Sequence, residues 1–216
     1  MNLSGINEIN KREAYRYMGF KNTLPDENFR SLTEKCERDV LDAAKPRFVY
    51  RIFDIVSREN GVHLDGTSLV LQGENIKALV KECPRVGVFA ATLGTDVDSL
   101  IRRLEATDIT YGFIADNLAS ALIEQVCDKV EEEIINALGG VTLTTRFSCG
   151  YGDLPLESQG EFLKSVDAQN KIGLCMTDTL IMIPRKSVTA VMGIRSKNNS
   201  LSLIHISEPT RLRRIS

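Results

Sequence analysis

The sequence predicts an α+β domain, in which a curved antiparallel sheet is flanked by helices and preceded by an N-terminal helical portion. Three observations support this prediction: an amphipathic helical pattern near the N-terminus, a hairpin signal at Asp65-Gly66, and a long apolar periodicity between residues 111 and 138. Short β-rich runs lie on both sides of that long helix, which completes the α+β pattern.

The N-terminal portion is predicted to be helical as far as Pro46. Pro25, Asp26 and Glu27 begin a helix, because proline and acidic side chains are favoured in the first turn. The next run, residues 47–56, alternates imperfectly and indicates a strand or a buried connection. The apolar side chains of the helix fall on one face at helical spacing: Leu32, Cys36, Val40 and Leu41.

The middle of the chain alternates between β-like and helical runs. Apolar residues flank the Asp65-Gly66 turn, which predicts a hairpin over residues 61–71. The segments that follow are a short helix over 74–82, a buried strand over 85–92, and a helix capped by Thr95 or Asp96.

The longest helix is predicted between residues 111 and 138, where apolar residues recur every four positions until Gly139-Gly140 ends the pattern. Alternation then predicts a strand over 141–147. The remaining segments are a turn-rich loop over 149–156, a helix over 159–167, and strands over 179–183 and 187–194.

Composition is that of an ordinary soluble domain. The 216 residues suffice for one domain, and 43% hydrophobic residues suffice for a core. The net charge of -2 gives no general attraction to nucleic acid or to a membrane, and no stretch reaches the roughly 20 apolar residues that span a bilayer. The first five residues lack the features of a secretory signal, so a cytoplasmic location is expected. Five scattered cysteines and two histidines predict neither disulfides nor a metal site.

Residues 1–199 are predicted to form the domain, and residues 200–216 to be an artefactual or disordered tail. Ser200–Arg211 resembles the in-frame translation of a transposon-end sequencing adapter. The alternative is a genuine short strand followed by a basic tail.

The segment richest in chemistry is Arg146–Pro155, a predicted strand end followed by a glycine-punctuated loop. Arg146 offers a planar fork of donors for a carboxylate, and Gly150 and Gly152 let backbone groups approach a flat ligand closely. Tyr151 adds an aromatic face with a polar tip. This combination suits a zwitterionic nucleoside such as S-adenosylmethionine; a purely structural loop is the alternative.

The same segment is similar to the Arg-x-x-x-Gly-Tyr-x-x-x-Pro motif of the activation domain of cobalamin-dependent methionine synthase. A second segment, Met182–Val188, resembles the later Met-x-Pro and Ser-Val elements of that family. Together with Ala90–Gly94 and the long helix carrying Glu124 and Asp128, the resemblance covers about residues 10–195. All four defined positions of the first motif match: Arg146, Gly150, Tyr151 and Pro155.

The resemblance implies a role in methionine biosynthesis. In this family the cobalamin occasionally oxidises from cob(I)alamin to inactive cob(II)alamin. Recovery needs one electron from a flavodoxin-like donor and a methyl group from S-adenosylmethionine, which the activation domain binds and presents to cobalamin on another domain. This chain lacks the corrinoid-binding Asp-x-His-x-x-Gly pattern, so the resemblance implies action in trans on a corrinoid-binding methionine synthase subunit.

The resemblance also implies a binding site. Arg146 is expected to pair with the carboxylate of S-adenosylmethionine, and Ser148, Gly150, Tyr151 and Pro155 are expected to form the rest of the site. No catalytic side chain and no metal ligand is expected in this chain.

Several residues keep two interpretations. The acidic residue that the family uses has no assigned position, and each candidate is also explained as a solvated acid or a helix cap: Asp96, Asp98 and Asp116. Cys149 is expected to be a passive small residue and Asp153 to close a turn. Arg185-Lys186 is expected to form a solvated turn or to meet an acidic partner.

Two other functions stay open at this point. The chain could reactivate a different corrinoid methyltransferase, or it could be a non-catalytic docking module with the same fold.

Overall fold

The computed structural model describes residues 5–20 and 23–196; the predicted tail lies outside these residues. Strands of the described part are β1 (Arg47–Ser57), β2 (Val62–Leu64), β3 (Val70–Leu71), β4 (Arg85–Thr92), β5 (Thr142–Leu143), β6 (Cys175–Met176), β7 (Met182–Ile183) and β8 (Ser187–Arg195). Six of them form an antiparallel sheet in the order β3-β2-β1-β4-β8-β5, and β6 pairs with β7 in a separate hairpin. The predicted α+β fold with a curved antiparallel sheet and N-terminal helices is confirmed.

The α-helices of the described part are α1 (Lys11–Tyr17), α2 (Glu27–Ala43), α3 (Glu74–Leu79), α4 (Thr95–Thr107), α5 (Ile109–Ala137), α6 (Gln159–Ser165) and α7 (Ala168–Ile172). A short 3-10 turn, Leu156–Ser158, precedes α6. None of the described helices combines the length and apolar composition that crossing a membrane requires.

One side of the sheet, which we call the helix face, is covered by α1, α2, α4 and α5. Phe89 and Met192 of the sheet are fully buried there against Leu118, Leu122 and Ile134 of α5. The four-residue apolar spacing seen in the sequence keeps these side chains on one stripe of the helix, so α5 forms the centre of this core.

The opposite side, which we call the loop face, is covered by α3, α6, α7 and irregular segments. Val88 and Val191 of the sheet are buried there, together with Phe162 of α6, Ile76 of α3 and Leu154 of the connecting loop. The helices on this face have only five to seven residues each, so individual loop residues complete its core.

Hydrogen bonds between its backbone and side chains of α2 and α5 hold the N-terminal segment on the helix face. The Asn10 N–H donates to Gln125 Oε1 of α5 at 2.8 Å, and Gln125 Nε2 donates to the Glu8 carbonyl at 3.0 Å. The Ile9 N–H donates to Glu37 Oε1 of α2 at 2.7 Å, and the Ile9 side chain is buried. Two helices therefore hold this segment before α1 begins.

Side chains next to the helix start cap α1, α2 and α5, and one predicted cap is wrong. Asp26, which was predicted to lie in the first turn of α2, is its N-cap and accepts the Phe29 N–H at 2.8 Å. Asp108 caps α5 by accepting from the N–H groups of Thr110 and Tyr111 at 3.0 Å. The predicted cap of α4, Thr95 or Asp96, is instead Gly94, which makes no side-chain cap hydrogen bond. Both predicted residues lie inside the first turn of that helix.

The predicted strand over 141–147 is mostly absent, because a bulge interrupts it. Thr144 N donates to the Gly193 carbonyl at 2.9 Å, whereas Phe147 pairs with Val191. Between these two pairs the edge segment advances by three residues and β8 by two, so the edge segment has one extra residue. The extra residue reverses the alternation: Leu143 packs on the helix face, and Phe147 is buried on the loop face. Arg146 lies within this bulge.

Two further differences lie after the loop. The predicted strand over 179–183 is reduced to β7, with Leu180 at a positive φ of 64° before it. The predicted helix over 159–167 ends at Ser165, and α7 follows after Asp167, whose φ of 57° separates the two helices.

Candidate ligand-binding loop

The motif segment leaves the sheet as a loop that is anchored at both ends. At its start, Phe147 and Val191 exchange two backbone hydrogen bonds of 3.0 and 2.9 Å. At its end, the Leu154 side chain is buried in the loop-face core. Between these anchors the Gly150 N–H donates to the Leu154 carbonyl at 2.9 Å, and the Tyr151 N–H donates to the Ser148 carbonyl at 3.1 Å. The loop is therefore a compact, internally hydrogen-bonded turn.

Both glycines of the loop are required by its backbone. Gly150 and Gly152 have φ values of 79° and 57°, in the left-handed region that disfavours side chains. A Cβ atom at Gly152 would also lie 2.7 Å from Asn75 Nδ2 and 3.3 Å from Phe147 Cζ. The glycine backbone was predicted to approach a ligand closely. At Gly152 it instead lies close to Asn75 and Phe147 of the protein.

Tyr151 and Pro155 frame the loop. The Tyr151 ring meets the Phe147 ring edge-on, with centroids 5.3 Å apart, and stays half-buried. Pro155 has an extended ψ of 139° and directs the chain into the 3-10 turn, where Leu156 packs beside Gly150. An aromatic side and an apolar side of the loop remain partly accessible.

Arg146 contacts carboxylates of α5 on the helix face. Its guanidinium lies 3.1 Å from Glu124, 2.9 Å from Asp128 and 2.9 Å from Glu131, and the side chain is 16% exposed. Burial alone would lower the pKa of Arg146, but the neighbouring Cys127 thiol and the three carboxylates outweigh it, so the pKa lies above its ordinary value. The arginine is a permanent cation inside a net acidic cluster.

The bulge separates Arg146 from the rest of the predicted site. Arg146 lies toward α5 on the helix face, whereas Tyr151 packs on Phe147 on the loop face. Ser148, Gly150 and Tyr151 are held together by the turn. A ligand that touched both Arg146 and Tyr151 would have to lie across the edge of the sheet beside β8.

The three carboxylates that surround Arg146 were not predicted as its partners. Glu124, Asp128 and Glu131 are spaced by four and three residues, and this spacing places them on one face of a helix. The acidic candidates from the sequence have other contacts: Asp96 with Lys45, Asp98 with the Arg185 N–H, and Asp116 with Lys186.

The predicted solvated turn at Arg185-Lys186 is wrong for Lys186. Its side chain is buried, and its Nζ lies 2.6 Å from Asp116 Oδ1 and donates to Ser120 Oγ at 2.9 Å. Met182 of the second motif accepts a hydrogen bond from Gln159 Nε2 at 3.3 Å. The second motif thus joins the β6–β7 hairpin to α5 and α6.

Cys149 has the properties of a passive residue. Burial raises the pKa of its thiol to about 12, so almost none is thiolate at neutral pH. Among the described residues, no group of three or more His, Cys, Asp or Glu side chains is arranged to hold a metal ion.

Comparison with known proteins adds a decisive observation. Residues 76–209, more than half of the chain, match the sequence profile of the activation domain of vitamin B12-dependent methionine synthase. The chain belongs to this family. The matched range contains all of Arg146–Pro155 and runs past Asn199, the predicted domain boundary, which stays a prediction.

The fold of this activation domain is also found in a solved structure. A crystal structure described as the MetH reactivation domain bound to AdoHcy superposes with a TM-score of 0.60. The two proteins share 16% sequence identity over 88% of this chain and 74% of the other. No curated protein sequence matches this activation domain.

The groups around the loop suit S-adenosylmethionine in part. The guanidinium of Arg146 matches a carboxylate, and Glu124, Asp128 and Glu131 match the cationic sulfonium and ammonium groups. Tyr151 offers an aromatic surface for the base. The carboxylate of the ligand would be a fourth one beside Arg146, which already has three carboxylate neighbours.

Proposed function

We propose that this activation domain binds S-adenosylmethionine and supports reductive remethylation of cob(II)alamin on a separate corrinoid-binding methionine synthase subunit. The observation that carries the proposal is the match of Arg146, Gly150, Tyr151 and Pro155 to the family motif within a chain that belongs to the family. The solved relative with the same fold is described as bound to AdoHcy, the molecule that S-adenosylmethionine becomes once it has donated its methyl group.

In this proposal the loop and the bulge form one site across the sheet edge. Arg146 pairs with the carboxylate of the ligand, while backbone at Ser148 and Gly150, the ring of Tyr151, and Pro155 contact the nucleoside part. The contribution of these groups is positioning, because a methyl group held within reach of its acceptor reacts in an effectively unimolecular step. Cobalamin belongs to the partner and accepts the methyl group there.

Further partners follow from the same proposal. One electron per reactivation is needed, and a flavodoxin-like protein is the proposed donor. The proposed location is the cytoplasm, where methionine synthesis and such donors operate. A complete reaction therefore contains this chain, the corrinoid subunit, the electron donor and S-adenosylmethionine.

The central test is the Arg146→Ala variant. Removal of a charge-assisted pair costs about 1.5–3 kcal/mol, so affinity for S-adenosylmethionine should fall roughly tenfold to a hundredfold in calorimetric titrations. Arg146→Lys should bind with intermediate affinity, because lysine keeps the charge but loses the planar fork.

Arg58→Ala is the matched control, because Arg58 also donates a hydrogen bond within the protein, to the Cys83 carbonyl at 2.7 Å, but lies outside the motif segment. Its affinity for S-adenosylmethionine should equal that of the wild type. Wild-type affinity in a folded Arg146→Ala variant would exclude Arg146 as the carboxylate partner.

A docking module without ligand binding is the second candidate, and one observation favours it. The Arg146 guanidinium is already paired with Glu124, Asp128 and Glu131, as in a purely structural cluster. Calorimetry separates the two functions: a folded wild-type chain that releases no heat with S-adenosylmethionine but still binds a corrinoid subunit would be a docking module. Reactivation of a different corrinoid methyltransferase would appear as turnover with that partner alone.

A further inference from the structure

Asp153 connects the ligand-binding loop to a distant helix. Its carboxylate accepts the Glu74 N–H at 2.6 Å and the Asn75 N–H at 3.2 Å, which are backbone donors of the first turn of α3. Gly73, the N-terminal cap position of α3, has no side chain that could satisfy these donors. A residue 79 positions away in the chain therefore caps this helix.

The surroundings of the contact are shaped to fit it. Gly73 has a φ of 116°, and a Cβ atom there would overlap Asp153 Oδ1 and lie 2.9 Å from the Asp153 carbonyl oxygen. Gly152 packs with similar closeness against Asn75 Nδ2. Two glycines, one on each side, thus allow the loop and the helix start to meet at van der Waals distance.

Asp153 is adjacent in the chain to a residue that hydrogen-bonds with Gly150 and Tyr151. Asp153 immediately precedes Leu154, whose carbonyl accepts the Gly150 N–H and whose own N–H donates to the Tyr151 carbonyl. Movement of Asp153 away from α3 would shift Leu154 and both of these hydrogen bonds. Gly150 and Tyr151, the motif residues of the proposed site, are therefore held in place through Asp153.

We infer that Asp153 is a positioning residue, which fixes the Gly150-Tyr151 turn in its ligand-binding conformation by anchoring it to α3. The inference rests on the proposed function and extends it to a residue outside the motif positions. Without this contact the loop occupies further conformations. The apparent affinity for S-adenosylmethionine then falls in proportion to the fraction of molecules whose loop keeps the ligand-binding conformation.

The test is a graded series at Asp153. Loss of a helix cap corresponds to about a threefold to thirtyfold change in a conformational equilibrium. Asp153→Ala should therefore weaken S-adenosylmethionine binding measurably, by up to about thirtyfold. Asp153→Asn keeps one acceptor oxygen and should lie between the alanine variant and the wild type. Asp26→Ala is the matched control: it removes the cap of α2, at the Phe29 N–H, and should lower the melting temperature without changing affinity.

A second variant reaches the same contact from the other side. Gly73→Ala places a methyl group against the Asp153 carboxylate and should weaken binding although Gly73 lies outside the loop. If both changes act through the contact between Asp153 and α3, their effects should not add. The Gly73→Ala/Asp153→Ala double variant should then bind S-adenosylmethionine about as well as whichever single variant binds it less tightly. Fully additive losses would overturn the inference.

Hydrogen exchange gives a readout that does not need the ligand. The Gly150 and Tyr151 amides should exchange about threefold to thirtyfold faster in Asp153→Ala than in the wild type, while those of α5 stay unchanged. Unchanged loop exchange, or wild-type affinity in a folded Asp153→Ala variant, would overturn the positioning role. A wild-type chain that binds no S-adenosylmethionine would refute the proposed function instead, and the exchange measurement would still decide whether the anchor exists.

Discussion

The two faces of the sheet are stabilised in different ways. On the helix face, α5 alone provides 29 residues of continuous cover, and its buried side chains recur at helical spacing. On the loop face, the helices have five to seven residues, and single contacts such as Phe147 with Val191 and Asp153 with α3 complete the cover. The helix face thus carries redundant packing, whereas the loop face depends on a few specific anchors.

The largest expected effect compares one buried leucine from each face. Leu118→Ala on α5 and Leu154→Ala in the loop should each lower the free energy of unfolding by about 2–5 kcal/mol, since both side chains are almost fully buried. Denaturant titrations measure this loss. Only Leu154→Ala should also weaken S-adenosylmethionine binding, because Leu154 anchors the ligand-binding loop.

An equal loss of ligand affinity in Leu118→Ala would contradict this separation of the two faces. Titrations should be run where both variants are fully folded, as judged by circular dichroism.

A smaller effect concerns thiol reactivity. Burial raises the pKa of Cys149 on the loop face and of Cys36 on the helix face to about 12. At pH 8 both should react with iodoacetamide at least about a hundredfold more slowly than an ordinary cysteine, because the thiolate is the reacting form. Mass spectrometry of the alkylated peptides gives the two rates, and fast labelling of Cys149 would show that the loop opens readily.

The smallest effect is an alkaline loss of stability that originates on the helix face. Burial, and then the neighbouring Glu124, raise the pKa of Tyr17 from 10.0 to about 12. Between about pH 10 and pH 12 the unfolded chain ionises this tyrosine while the folded chain does not, so the free energy of unfolding falls as the pH rises. Phenylalanine has no hydroxyl to ionise, so Tyr17→Phe should decline less steeply over this range in denaturant titrations, and identical slopes would refute the assignment.

The helix face was also the easier one to predict from the sequence. The apolar repeat of α5 and the start of α2 at Pro25-Asp26-Glu27 are local signals, since each depends on residues within a turn or two of one another. The cap of α4 was wrong by one or two positions, because Thr95 and Asp96 are both plausible caps and only the backbone distinguishes them from Gly94.

The candidate site shows where local signals fail. The motif identifies the residues of the loop, but the bulge that turns Arg146 toward α5 depends on how the edge segment pairs with β8, nearly fifty positions further along the chain. Asp153 resembles a turn residue by sequence, whereas its partners Glu74 and Asn75 are almost eighty positions away. Contacts of this range have no periodicity, so only the assembled fold reveals them.

Gln125 has one more consequence for the N-terminal segment. Its side-chain amide accepts a hydrogen bond from the Asn10 N–H and donates one to the Glu8 carbonyl. The Gln125 side chain thus makes the two hydrogen bonds that a peptide group of an adjacent strand would make with this segment. Glutamate at this position would have the same shape but no donor, so it could accept the Asn10 N–H but could not donate to the Glu8 carbonyl.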